Sequence, residues 1–175
     1  MKSVRRLLSE YLTSVGHGCT LILNLNPDTR GLVPEEDRKA YEKLGKAIAL
    51  LYKDPVKKSF KPRLIIGKKK IWKFTAFRSL NGSVILMEDI ERYGQLVMKY
   101  ELKLKTKDGW ISTPELGSTI GHKRIHPFPK DLANKTVSAV SLRINKLVTK
   151  RRSIVLREVS VYNWNEAAKP GKNLI

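Results

Sequence analysis

Residues 84–90 (VILMEDI), Gly94-Gln95, residues 99–105 (KYELKLK), Asp108-Gly109-Trp110 and residues 117–125 (GSTIGHKRI) together decide the fold of this chain. In KYELKLK, Tyr100, Leu102 and Leu104 alternate with Lys99, Glu101, Lys103 and Lys105. A period of two marks a strand with one face buried and one in water, and the buried face requires a second sheet to cover it. Asp108-Gly109 reads as a hairpin turn, because glycine reaches positive φ without a Cβ clash. Trp110, just past that turn, is expected to cap the core.

Working outward, residues 71–77 alternate like a first sandwich strand, with Trp72, Phe74 and Phe77 directed at the core. Residues 137–144 and 154–162 read as two further strands, joined by the basic hairpin 146–152 (KLVTKRR). The fold class is therefore mainly β, with an antiparallel β-sandwich over residues 71–164 and a polar tail over 165–175.

Ahead of the sandwich the pattern changes. Residues 1–15 carry Val4, Leu7, Leu8, Leu12 and Val15 at helical spacing, with Gly16 as a stop. Arg5, Arg6 and several hydroxyl residues also suit an organelle transit peptide, and of the two readings the folded helix is preferred. Residues 20–25 (TLILNL), between Gly18 and Pro27, form a short continuous apolar run, as in a strand buried on both faces of a parallel sheet. Pro34 opens a second helix with Glu35, Glu36 and Asp37 in its first turn, where the helix dipole favours negative charge. Its stripe is Tyr41, Leu44, Ile48 and Leu51, and Pro55 ends it. Residues 1–54 thus read as a short α/β unit (helix, strand, helix), and 55–70 as a basic linker.

At these motifs the chain resembles the plant and bacterial type of α-L-fucosidases, glycoside hydrolase family 29. The EDI, GQ, DGW and GSTIGHKRI motifs resemble the C-terminal β-sandwich of that family, and residues 8–54, with GLVPEED at 31–37, resemble its last barrel strand and helix. The resemblance implies that residues 1–54 are a remnant of a (β/α)₈ barrel. Cys19 and Thr20 depart from the family's pattern before Asn24, so any ligand contact made there does not carry over. A whole barrel takes about 250 residues and assembles its site from loops after several strands. Retaining glycosidases need two carboxyls about 5 Å apart. In the family both lie on earlier barrel strands, so no residue here inherits a catalytic role.

Nothing else in the sequence replaces that chemistry. Glu35, Glu36 and Asp37 are explained by the helix start, and Glu88 and Asp89 are expected to hold a turn in the sandwich. His122 and His126 are four apart, but Pro127 and Pro129 exclude a helical metal pair, and His122 is expected to orient a turn. With one cysteine, Cys19, no intramolecular disulfide or Cys-rich metal site can form, and Cys19 is expected to be a small buried side chain. No cofactor, metal or small-molecule substrate is expected. No apolar run approaches the roughly 18 residues of a membrane span, and no secretory signal is evident.

Charge is the unusual property. The 175 residues hold 35 Lys and Arg against 16 Asp and Glu, a net +19, which argues for a polyanionic partner. The excess is local. Residues 55–79 contain Lys57, Lys58, Lys61, Arg63, Lys68, Lys69, Lys70, Lys73 and Arg78 with no acid, and a second cluster holds Arg143, Lys146, Lys150, Arg151, Arg152 and Arg157. These residues, Arg157 apart, are the candidate contacts to RNA phosphates, with aromatics among them for stacking. The leading expectation is a non-catalytic, fucosidase-derived structural subunit of a large ribonucleoprotein, a mitochondrial ribosome. It would contact ribosomal RNA and neighbouring proteins. An acidic protein or anionic lipid surface would account for the same charge. The alternative is the C-terminal part of a working α-L-fucosidase, supporting its barrel or contacting glycans.

Overall fold

A computed structural model describes residues 2–79, 81–113 and 119–164. The tail 165–175, and Gly117 and Ser118 of GSTIGHKRI, lie outside them. Helix α1 (Val4–Ser14) begins where the Ser3 hydroxyl accepts the Arg6 N–H, and a 3₁₀ turn at Val15–His17 ends it at Gly18, φ 83°. Helix α2 (Glu35–Leu51) carries Glu35, Glu36 and Asp37 in its first turn, with Pro34 as N-cap. Arg38 bridges back to Glu35 at 2.6 Å and forward to Glu42, and that pairing holds the Glu35 carboxyl down at about 2. Leu7 and Leu8 are buried between the helices and the sandwich, so residues 4–14 are a packed helix.

The strands are β1 (Lys57–Phe60), β2 (Arg63–Ile65), β3 (Lys69–Arg78), β4 (Gly82–Glu88), β5 (Val97–Thr106), β6 (Gly109–Ser112), β7 (Arg124–Pro127), β8 (Thr136–Leu147) and β9 (Ser153–Asn163). A four-residue helix, α3 (Ile90–Tyr93), follows β4. They form two antiparallel sheets: β1–β9–β4–β7, with β2 also pairing β9, and β3–β8–β5–β6. The main core lies between the sheets, built on Val84, Leu86, Tyr100, Leu102, Leu104 and their neighbours. A second core lies on the outer side of the first sheet, where Leu7, Leu8, Leu44 and Leu51 of the helices meet Ile85, Ile125, Tyr162 and Trp164. Residues of β4 point alternately into the two cores, which is why VILM has no polar face. The indole of Trp164 donates to the Leu51 carbonyl at 3.0 Å, tying the helices to the sheet.

Four expectations are corrected. Residues 20–25 form no strand: they run as irregular chain with Leu21 and Leu23 half-buried and Ile22 and Leu25 exposed, because a parallel strand needs flanking strands and none pairs with it among the described residues. Cys19 is exposed on that same segment rather than buried. The basic linker is folded, since β1 and β2 within it both pair with β9. Trp110 does not cap the core. The closing pair of the hairpin is Thr106 with Gly109, so Trp110 lies opposite outward-facing Lys105 and remains 40% exposed, while Ile111 turns inward opposite Leu104.

Glu88 fixes the geometry of the EDI segment. Its side chain is buried, one carboxyl oxygen accepting the N–H groups of Leu96 and Val97 at 2.8 and 3.0 Å and the other that of Gly121 at 2.7 Å. Gly121 adopts φ +65° and its carbonyl accepts the Glu88 N–H, so it holds the loop before β7 while His122 is exposed. His126 is buried against the Tyr100 hydroxyl at 2.6 Å. Replacing Glu88 by Gln sets an amide donor against the Gly121 N–H. Urea unfolding of Glu88→Gln is expected to show a loss of roughly 1–3 kcal/mol, the cost of one buried donor without an acceptor. At Gly82 a Cβ would lie 2.5 Å from the Tyr162 carbonyl oxygen and 2.6 Å from the Phe128 ring. Gly82→Ala is expected to lower stability by about 1–3 kcal/mol in the same assay, since a paired backbone cannot yield.

Candidate functional site

The fixed carboxylates are committed to partners. Glu10 pairs with Lys2, Asp28 with Arg30, Glu101 with Lys103, and Glu158 with Lys58 and the Ser160 hydroxyl, while Glu88 serves backbone N–H groups. Among the described residues no group of three or more His, Cys, Asp or Glu is placed to hold a metal, and no helix is long and apolar enough to cross a membrane. The described residues contain no (β/α)₈ barrel.

The candidate cations separate into three groups. Lys57 and Lys58 lie on β1, where Lys58 is held by Glu158 at 3.3 Å and over the Phe60 ring at 4.8 Å, and Lys61 occupies the following turn at φ 47°. Around the β2–β3 turn and the β8–β9 hairpin gather Arg63, Lys68, Lys70, Lys146, Lys150, Arg151 and Arg152. Here Arg63 donates to the Ser153 hydroxyl at 3.3 Å, Lys70 to the Arg63 carbonyl at 3.0 Å, and the Ile66 N–H to the Arg152 carbonyl. Arg63 and Arg151 line one shallow groove of about 200 Å³ with the Tyr93 ring, over which Arg151 stacks at 5.8 Å. Arg78 stands apart at the far end of β3, opposite Thr136.

The third group was not grouped by sequence reasoning. Lys69, Lys73 and Arg143 share the outer face of the β3–β8–β5–β6 sheet with Lys103 and Lys105. The registers place Lys69 beside Arg143 and Glu101, Ile71 beside Ser141, Lys103 and Ser112, and Lys73 beside Ala139, Lys105 and Trp110. Small Ala139 and Ser141 on the central strand form a floor between two ridges of long side chains. Glu101 is the one carboxylate in these rows. The hydrogen bond from Lys103 holds its carboxyl below the usual range, with Lys69 and Arg143 adding Coulombic support. The outward parity of Lys99, Glu101, Lys103 and Lys105 is legible in KYELKLK. Their meeting with Lys69 and Lys73 depends on β8 inserting between β3 and β5, which no local pattern records.

The helix side presents a different surface. A cavity of about 430 Å³ opens between α1, residues 22–26 and α2, lined by Leu7, Ile22, Leu23, Asn24, Asp37 and Tyr41. The Tyr41 hydroxyl donates to the Asn24 carbonyl at 3.3 Å, and beyond it Ile22, Leu25, Leu32 and Val33 are exposed.

No protein-family model matches the chain. A rice protein (Oryza sativa subsp. japonica) named "Putative alpha-L-fucosidase 1" is 26% identical over 157 residues, which cover 73% of this chain and 30% of that protein. Among solved structures, a "putative alpha-L-fucosidase" from Bacteroides ovatus superposes on 93% of this chain with a TM-score of 0.74 and 27% identity, over 26% of its own length. A glycoside hydrolase 29 family member from a rumen bacterium matches 93% of this chain at TM-score 0.73 and 25% identity, over 29% of its length. The chain thus spans less than a third of each of these relatives. In sequence and in fold, these residues correspond to the C-terminal part of a glycoside hydrolase family 29 α-L-fucosidase.

Proposed function

We propose that these residues act as the β-sandwich end of an α-L-fucosidase-type protein, bracing a catalytic barrel rather than cleaving a glycosidic bond themselves. The observation that carries this reading is the state of residues 20–25. Leu23 of this apolar run packs on the helix-side core, while Ile22 is 81% exposed and Leu25, Leu32 and Val33 are exposed as well. An exposed apolar segment of this kind marks a surface that contacts another segment. Neighbouring barrel strands would supply both the backbone partners and the two carboxyls that the chemistry requires.

A second reading rests on the charge. A net +19 over the chain, most of its excess falling in the strand-forming residues 55–164, together with a sheet face on which no described helix packs, supports a non-catalytic, fucosidase-derived subunit that holds RNA in a large ribonucleoprotein.

The first reading is tested by mixing the chain with a separately produced barrel segment of a family 29 fucosidase, ending where the resemblance to this chain begins. Co-elution and p-nitrophenol release from p-nitrophenyl α-L-fucoside are measured. Complex formation and restored hydrolysis are expected, with none from the chain alone, and Ile22→Asp combined with Leu25→Asp is expected to weaken the complex at least tenfold while sandwich melting is unchanged. Failure to form a complex, or hydrolysis by the chain alone, overturns this reading.

A further inference from the structure

The two sheets of the sandwich differ in what covers their outer faces. On the first, α1 and α2 bury Ile85, Ile125, Tyr162 and Trp164. On the second, no described helix packs, and the face carries Lys69, Lys73, Lys103, Lys105 and Arg143 against Glu101. Along a strand, same-face residues are roughly 7 Å apart, and β3 and β5, separated by β8, are roughly 10 Å apart. On β5, Lys103 and Lys105 stand one such step apart, a pitch that suits successive phosphates of an extended strand, while on β3 the exposed Ile71 separates Lys69 from Lys73 by about 14 Å, and Ala139 and Ser141 form the floor between the two ridges. At one end the exposed Trp110 ring stands next to Lys105, whose ammonium lies 5.7 Å from the ring centroid. An aromatic face beside a cationic track is the arrangement that grips single strands, the ring stacking on a base while cations neutralise the backbone.

We propose that the outer face of the β3–β8–β5–β6 sheet is a binding platform for single-stranded nucleic acid, with Lys69, Lys73, Lys103, Lys105 and Arg143 on the phosphates and Trp110 stacking on a base. This deepens the second reading above and rests on it. Charge complementarity selects a polyanion, and the ring beside the track adds a stacking surface for the flat bases of a nucleic acid, with a sulfated polysaccharide and a lipid surface as the competitors in the test. The platform is distinct from the β8–β9 hairpin tip, whose Lys150, Arg151 and Arg152 lie off this face.

The test measures binding of the whole chain to fluorescent 12-mers of uridylate and thymidylate across a salt series. It compares wild type with a face variant (K69Q, K73Q, K103Q, K105Q), with Trp110→Ala, and with a tip variant (K150Q, R151Q, R152Q). Circular dichroism and melting confirm that each is folded. Wild type is expected to bind with a log–log salt slope of about −3 or steeper, since each neutralised phosphate contributes about −0.7 on a single strand. The face variant is expected to lose at least tenfold in affinity and most of that slope, and Trp110→Ala roughly tenfold with the slope retained. The tip variant is expected to stay within about threefold. Tight binding of uridylate or of thymidylate distinguishes RNA from DNA as the source. No binding by wild type overturns the second reading and the platform together. Binding that survives in the face variant but is lost in the tip variant overturns the platform and leaves that reading standing. Binding to heparin or phosphatidylserine vesicles alone overturns nucleic acid as the occupant.

Discussion

The burial of β4 on both of its faces is the constraint on which the structure depends. Val84 and Leu86 enter the core between the sheets, and Ile85 and Met87 face the helices. A strand of this kind is stable only if something covers its second side, so α1 and α2 are part of the sandwich's own hydrophobic economy. Each fully buried side chain of this size contributes roughly 1.5–3 kcal/mol before entropy is counted. The Trp164 indole on Leu51 and the Tyr11–Tyr52 hydroxyl pair at 2.6 Å then fix how the helices lie, and burial raises the Tyr52 phenol above its ordinary range.

Much of this was legible because it is local. The alternation of KYELKLK specified both faces of β5, and Glu35, Glu36 and Asp37 marked the start of α2. Glu88 was read as a structural acid, and its three backbone contacts give that reading its physical content. The failures share one cause, which is that a short segment does not state its neighbours. TLILNL has the composition of an inner strand but lacks flanking strands among the described residues, so it stays irregular and leaves Cys19 exposed. Residues 57–65 have too many lysines to read as strands, yet β9 is long enough to pair with both short pieces. Trp110 was misplaced although its parity was available, since a two-residue turn puts it on the side of Lys105.

The same dependence on distant pairing separates the basic residues by role. Lys58 and Lys70 are held by partners within the fold, at Glu158 and at the Arg63 carbonyl, and on the open sheet Lys103 pairs with Glu101 while the Arg143 Nε–H donates to the Gly67 carbonyl at 2.7 Å. Those on the open sheet are brought together by the order β3–β8–β5, and the sequence lists them in separate clusters around 69–73, 99–105 and 143. Cation count alone therefore overstates the first cluster and overlooks Lys103 and Lys105.

The break between β1 and β2 has a further consequence. Both pieces pair with β9, but Lys61 at φ 47° and Pro62 interrupt them, so this border of the first sheet offers no long straight row of open amides and carbonyls, and the opposite border, β7, is only four residues long. On the other sheet one border is β3, irregular between Lys73 and Phe77, and the other is the four-residue β6. Interrupted, lysine-bearing borders repel copies of themselves. In a protein with two stacked sheets and this much apolar interior, such borders disfavour the addition of a further strand from another copy.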